Sequence, residues 1–216
     1  MTIAVPLTGY APVHGLEMYY EIDGEPHPDC PPLLMLHGAL ATLDMFGELR
    51  PALARRRQVI AVEQQGHGRT ADIDRPLSSA QMADDTAGFV RWLSIDQVDL
   101  FGFSMGGGIA WEFAIRYPTL VRKLVIGSAS TTRAHGYQEA VGSLETTFSP
   151  EMFKGSPIET DYLRVAPDPA AFPTLIRKGQ ALTMHAEDTA SEPIAAIAAP
   201  TMIIVGAADI IRPGGA

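Results

Sequence analysis

The sequence predicts an α/β fold, a mostly parallel central sheet flanked by helices, and three observations carry that expectation. Short runs that are apolar on every residue, suited to strands covered on both faces, alternate with longer stretches of helical spacing. The last two predicted strands, residues 121–126 and 201–205, are each followed by a small residue, as strands are where they hand over to a loop. The 216 residues are 46% hydrophobic and 19% charged, enough apolar side chain for one globular core and too little charge for a disordered chain.

In chain order, Gly15-Leu16-Glu17-Met18-Tyr19-Tyr20-Glu21-Ile22 alternates apolar and polar side chains. It reads as a half-buried strand closed by a tight turn at Asp23-Gly24, the entry to a hairpin. Leu33–Leu36 is a buried strand that stops at His37-Gly38. From Asp44 the spacing of Phe46, Leu49, Leu53 and Ala54 predicts a helix in which Pro51 sits early or causes a kink. Val59–Val62 is a second buried strand. Ser78 or Ser79 caps a helix whose inner face is Met82, Phe89, Val90 and Leu93, and residues 98–103 form the next strand. A helix starts abruptly after Ser104, with Ile109, Phe113 and Tyr117 on one face and Pro118 at its end. Residues 121–126 and 201–205 are further buried strands. Between them, residues 130–199 show no strand character; six prolines punctuate short helical pieces bearing Met152, Phe153, Tyr162, Leu163, Phe172, Leu175 and Met184. A helical cap over one end of the sheet accounts for such a stretch better than a structureless loop does.

Charge narrows the partners. Sixteen Lys plus Arg against twenty-five Asp plus Glu leave a net charge of -9, which opposes nucleic acid and anionic membrane surfaces. No run of about 18 apolar residues is present and the first residues lack a signal-peptide pattern, so the expected location is cytoplasmic. The single Cys30, in a proline-rich loop, reads as a free thiol.

The chemistry concentrates at Gly102-Phe103-Ser104-Met105-Gly106-Gly107-Gly108, a G-x-S-x-G pattern between a buried strand and a helix. Glycines two before and two after the serine are required where a Cβ would strike the neighbouring strand or helix, and the helix N-terminus places amides beside the hydroxyl. The spacing does not supply the G-x-G-x-x-G of a dinucleotide site. Three more motifs end strands: His37-Gly38-Ala39-Leu40, Gly66-His67-Gly68-Arg69-Thr70, and Val205-Gly206-Ala207-Ala208-Asp209.

With these four motifs in this order, from about Gly15 to Pro213, the sequence resembles the α/β-hydrolase superfamily, in particular its small bacterial cap-bearing, esterase-like members. The resemblance implies a core formed by residues 1–129 and 200–216, with residues 130–199 as a cap inserted after the family's sixth strand. It implies a serine esterase of carboxylesterase type. Ser104 would be the nucleophile, Ala39 and Met105 the oxyanion-hole amides, and Asp209 the acid that orients a histidine. His37 and Gly38 would support the oxyanion loop, His67 and Glu63 would brace their own loop, and Met152, Phe153, Tyr162 and Phe172 would shape an acyl pocket. No cofactor is implied, no residue cluster has metal-ligand spacing, and the expected partner is a small acyl substrate.

The sequence departs from the family in one respect: the catalytic histidine should follow the acid, and no histidine follows Asp209. Three accounts stand open: a truncated or internally deleted product, a fragment of a longer enzyme, or a histidine from the cap, His135 or His185, in its place. On the first two, activity is impaired and the strand at 201–205 is an exposed edge that favours self-association. A hydrolase-like scaffold that binds a small molecule or a protein partner without catalysis is the competing function.

Overall fold

The computed structural model describes residues 6–132, 148–184 and 190–211. Seven strands form one sheet in the order β1-β2-β4-β3-β5-β6-β7: β1 Leu7–Val13, β2 Leu16–Asp23, β3 Leu33–Leu36, β4 Val59–Val62, β5 Val98–Phe103, β6 Val121–Gly127 and β7 Thr201–Ile204. β1 pairs antiparallel with β2, and β2 antiparallel with β4, while β3 through β7 are parallel to one another. The α/β-hydrolase fold expected from the motifs is therefore present, with the parallel strands all pointing their C-terminal ends toward one edge.

Burial on both faces explains the uniformly apolar β3 and β4, whereas β7, expected to be buried, is exposed along Thr201–Ile204. In β3, Leu34 and Leu36 face the larger core cluster, whereas Leu33 and Met35 face the smaller one; in β4, Ile60 and Val62 divide from Val59 and Ala61 in the same way. On the larger side lie α2 (Ser79–Trp92) and α3 (Met105–Arg116), which bury Met82, Phe89, Ile109 and Phe113. Ser78 caps α2, its hydroxyl accepting the Gln81 amide at 3.2 Å. The smaller cluster lies beneath α1 (Leu49–Ala54), whose Leu53 and Ala54 pack against it.

Two local expectations are corrected. The hairpin lies before β2, not after it: His14 and Gly15, both at positive φ (48° and 87°), form the two-residue turn that pairs Val13 with Leu16. Asp23-Gly24 instead leads to β3, which is not a neighbour of β2. The helix expected from Asp44 is broken at Gly47 (φ 43°) into a 3-10 turn, Leu43–Phe46, and α1, with Pro51 harmlessly in the first turn.

Between β6 and β7 the described residues form α4 (Pro150–Phe153), α5 (Pro157–Val165), a 3-10 turn (Pro169–Ala171), α6 (Phe172–Met184) and α7 (Ser191–Ala195). Phe153, Tyr162, Phe172, Leu175 and Ile176 join the larger core cluster. Two ion pairs tie these helices to the strand-end loops. Arg164 of α5 donates to Asp44 at 2.9 Å. Lys178 of α6 donates to both Asp72 oxygens at 2.9 and 2.7 Å and to the Ile73 and Arg75 carbonyls at 2.8 Å each.

Candidate active site

Ser104 sits between β5 and α3 with φ 53° and ψ -116°, a region that non-glycine residues rarely occupy and that persists only where the surroundings enforce it. Three backbone bonds do so. The Ser104 amide donates to Gly127 O at 2.8 Å, and Ser104 O accepts from the amides of Gly107 and Gly108 at 2.8 and 3.1 Å. The flanking glycines are sterically obligatory: a Cβ on Gly102 would lie 2.1 Å from Gly106 O, and one on Gly106 would lie 2.2 Å from Leu36 O. The turn therefore exists because β5, β3 and α3 converge too closely for any side chain except the serine's own.

Across from it, Gly38 follows β3, and a Cβ there would lie 3.5 Å from Ser104 Cβ, so this loop borders the serine side chain directly. Its shape is fixed from below by His37, fully buried. The Gln64 amide donates to His37 Nε2 at 3.0 Å, so Nδ1 carries the proton and donates to Gly38 O at 2.8 Å. Burial, helped by nearby His67, pushes the His37 pKa down to about 3. It is a neutral brace with both nitrogens committed. The amides of Ala39 and Met105 have no hydrogen-bond acceptor among the described residues; Met105 is the first residue of α3, where amides are orphaned by helix geometry. Gly38 N–H reaches Met45 Sδ at 3.3 Å.

The loop after β4 is organised by Glu63 and His67. Glu63, fully buried, accepts from the Leu43 amide at 3.3 Å and from the Arg69 guanidinium at 2.8 Å, linking the loops that follow β3 and β4. Its pKa is pushed up to about 7 by burial, against the pull of Arg69. His67 Nδ1 bonds Gln65 O at 2.9 Å, and burial holds its pKa down at about 4.

Asp209 lies just past β7. Its Oδ2 accepts from the Ser128 hydroxyl at 2.6 Å and the Gly206 amide at 3.2 Å, and Oδ1 from the Ile211 amide at 3.2 Å. Burial acts to raise its pKa, and these donors outweigh it and hold the carboxyl below its usual range. Ser104 and Asp209 thus share the C-terminal edge of the sheet, at the ends of strands separated only by β6. None of the described histidines bonds either residue: His14 pairs with Asp85 at 2.9 Å, His27 accepts from the Asp29 amide, and His37 and His67 are committed as above. His135 and His185 lie outside the described residues.

Of the residues expected at an acyl pocket, Phe153, Tyr162 and Phe172 are buried in the core, with the Tyr162 and Phe172 rings 5.0 Å apart, whereas Met152 is 54% exposed. Ser128, bonded to Asp209, is a residue that the motifs do not announce. Among the described residues no group of three or more His, Cys, Asp or Glu side chains is placed to hold a metal, and no helix is long and apolar enough to cross a membrane.

Residues 31–154, more than half of the chain and the span that contains the Ser104 turn and the His37 loop, match the family described as the alpha/beta hydrolase fold. The chain belongs to that family. As an alpha/beta hydrolase it is 39% identical over 106 residues to 2-hydroxymuconate semialdehyde hydrolase of Pseudomonas sp. (strain CF600), covering 47% of this chain and 38% of that protein. It is 32% identical over 127 residues to an uncharacterized protein of Mycobacterium tuberculosis, covering 59% of this chain and 36% of the relative. The match thus spans well under half the length of these curated relatives. The enol-lactonase of Burkholderia xenovorans LB400 has the same fold, with a TM-score of 0.70 at 22% identity over 95% of this chain and 84% of the other.

Proposed function

We propose that this alpha/beta hydrolase is a serine hydrolase that cleaves a small carboxylic ester or related acyl compound through an acyl-enzyme on Ser104. The observation that carries this reading is the left-handed backbone of Ser104 at the head of α3, bordered by the Gly38 loop and by two amides without acceptors among the described residues. In the reaction, Ser104 Oγ attacks the acyl carbon and gives its proton to a histidine; none of the described histidines reaches Ser104, so turnover is expected to be impaired unless His135 or His185 serves as that base. The carbonyl oxygen, now negative, is received by the Ala39 and Met105 amides; the tetrahedral species collapses, expelling the alcohol, and water then releases the acid. Asp209 orients the histidine and stabilises its charged form, a role for which a carboxylate kept ionised by its donors is suited. His37 and Gly38 hold the oxyanion loop.

Residues 130–199 act as a cap in this reading, supported by the Arg164–Asp44 and Lys178–Asp72 pairs that seat its helices on the strand-end loops. Phe153, Tyr162 and Phe172 form its packed floor, and Met152 offers exposed apolar surface to an acyl group. A cytoplasmic setting, with Cys30 free, belongs to the same proposal.

One observation favours a second reading, a hydrolase-like scaffold that binds a small molecule or protein without catalysis: none of the described histidines reaches Asp209 or Ser104. Self-association through β7 fits either reading, since Met202, Ile203 and Ile204 are 59%, 40% and 51% exposed on a strand at the edge of the sheet among the described residues. Hydrolysis of p-nitrophenyl acetate by the parent and by Ser104→Ala separates the two functions. Turnover that disappears with the serine supports the hydrolase; equal rates support the scaffold.

A further inference from the structure

The end of β6 connects two parts of the site that lie far apart in sequence. β6 runs between β5, which delivers Ser104, and β7, which delivers Asp209. Its last residue, Gly127, accepts the Ser104 amide at 2.8 Å. The next residue, Ser128, turns the other way: its amide donates to Ile204 O at 2.9 Å and its hydroxyl donates to Asp209 Oδ2 at 2.6 Å, a separation of 81 residues along the chain. That length is typical of a hydroxyl bonded to an ionised carboxylate. Ser128 also has φ 51°, so an unfavourable backbone is held at the step where both connections are made.

We propose that Ser128 is a positioning residue for the acid: its hydroxyl fixes the Asp209 carboxylate through Oδ2 and, through the adjoining Gly127 carbonyl, joins the acid loop to the backbone of Ser104. The inference rests on the reading of Ser104 and Asp209 as nucleophile and acid. Physically, a carboxylate at the mouth of a loop rotates about its Cβ–Cγ bond unless its oxygens are unequally bound. Ser128 and the Gly206 amide both engage Oδ2 while the Ile211 amide engages Oδ1, an unequal set of bonds that fixes the carboxylate's rotation. The same hydroxyl bond stabilises the charged form, against burial, which acts to neutralise it.

Three variants of the intact chain test the proposal. Ser128→Ala removes the hydroxyl and keeps the Cβ; Ser128→Gly removes it while relaxing the left-handed backbone, which guards against a mere folding defect. Ser128→Asn returns a donor on a residue that tolerates this backbone region. The readouts are the Asp209 carboxyl titration followed by 13C NMR and the rate at which a fluorophosphonate forms an adduct on Ser104. Asp209 is expected to bind its proton about tenfold more tightly in Ser128→Ala and Ser128→Gly. Adduct formation is expected to slow on the same two variants, and Ser128→Asn to recover both. An Asp209 titration unchanged by Ala and Gly overturns the proposal. Absence of a Ser104 adduct in the parent and in every variant defeats the hydrolase reading instead, and the titration still decides whether Ser128 holds the carboxylate.

Discussion

Gly106 and Gly108, two residues apart in α3, should respond in opposite directions to the same added methyl group. A Cβ on Gly106 would lie 2.2 Å from Leu36 O, 2.6 Å from Leu36 C and 2.7 Å from His37 O, all backbone atoms at the end of β3 that no rotamer change can move. Relief requires α3 to lift from β3 by about 1 Å, and interiors at this packing density do not yield that cheaply. Ile109, Phe113 and Ala110, which are fully buried on the same helix, would lose contacts as it lifts. The expected loss is at or above the ~3 kcal/mol top of the ordinary overpacking range. For a domain of this size that lowers the melting temperature by roughly 6–12 °C. A Cβ on Gly108 meets only Ser79 Oγ at 3.4 Å, an ordinary contact, and gains the ~0.5–1 kcal/mol by which alanine exceeds glycine inside a helix, a rise of a few degrees. Thermal unfolding followed by circular dichroism on parent, Gly106→Ala and Gly108→Ala measures both. The reasoning is refuted if Gly106→Ala melts within about 2 °C of the parent, or if the two variants shift in the same direction.

Other consequences are open to direct measurement. Lys178→Ala removes four bonds at once and should cost about 1–3 kcal/mol, with hydrogen exchange in α6 accelerating before that in α3; uniform exchange across both helices would contradict the anchoring role. His67, neutral when folded with a pKa near 4, takes up a proton on unfolding below its unfolded value of 6.5. Its contribution therefore falls by about 2 kcal/mol between pH 7 and pH 5, and in urea unfolding His67→Gln should lack that part of the pH dependence. The opposing slope from Glu63, whose raised pKa of about 7 makes it favour lower pH over the window from 4.5 to 7, is present in both proteins and cancels in the comparison. Sedimentation of the parent should show association rising with concentration, and Ile203→Lys on β7 should abolish it; a parent that stays monomeric at high concentration removes the edge-pairing proposal.

The central strands and the Ser104 turn were legible in the sequence because their constraints are local. A strand buried on both faces must be apolar throughout, and a turn squeezed between β3, β5 and α3 must be glycine at Gly102 and Gly106. β1 was not legible: its Leu7, Gly9, Tyr10 and Pro12 have no clean alternation, because it lies at the sheet edge with Leu7 and Tyr10 exposed, where a proline costs no ladder bond. The turn at His14-Gly15 is hidden in the sequence for a related reason. Its first residue is a histidine at positive φ, held from the side by Asp85, a partner 71 residues away. Ser128 has no local signature either, since nothing near it in sequence reveals that Asp209 comes to meet it. The aromatic residues between β6 and β7 could be recognised as apolar surface, but the spacing of Tyr162 and Phe172 does not reveal that each covers the other.

The most direct test of the account is the intact mass of the protein after incubation with a fluorophosphonate, beside Ser104→Ala. The account predicts a single adduct in the parent, located on Ser104 by peptide mapping, and none in the variant. No adduct in the parent, or one that persists without Ser104, would contradict it.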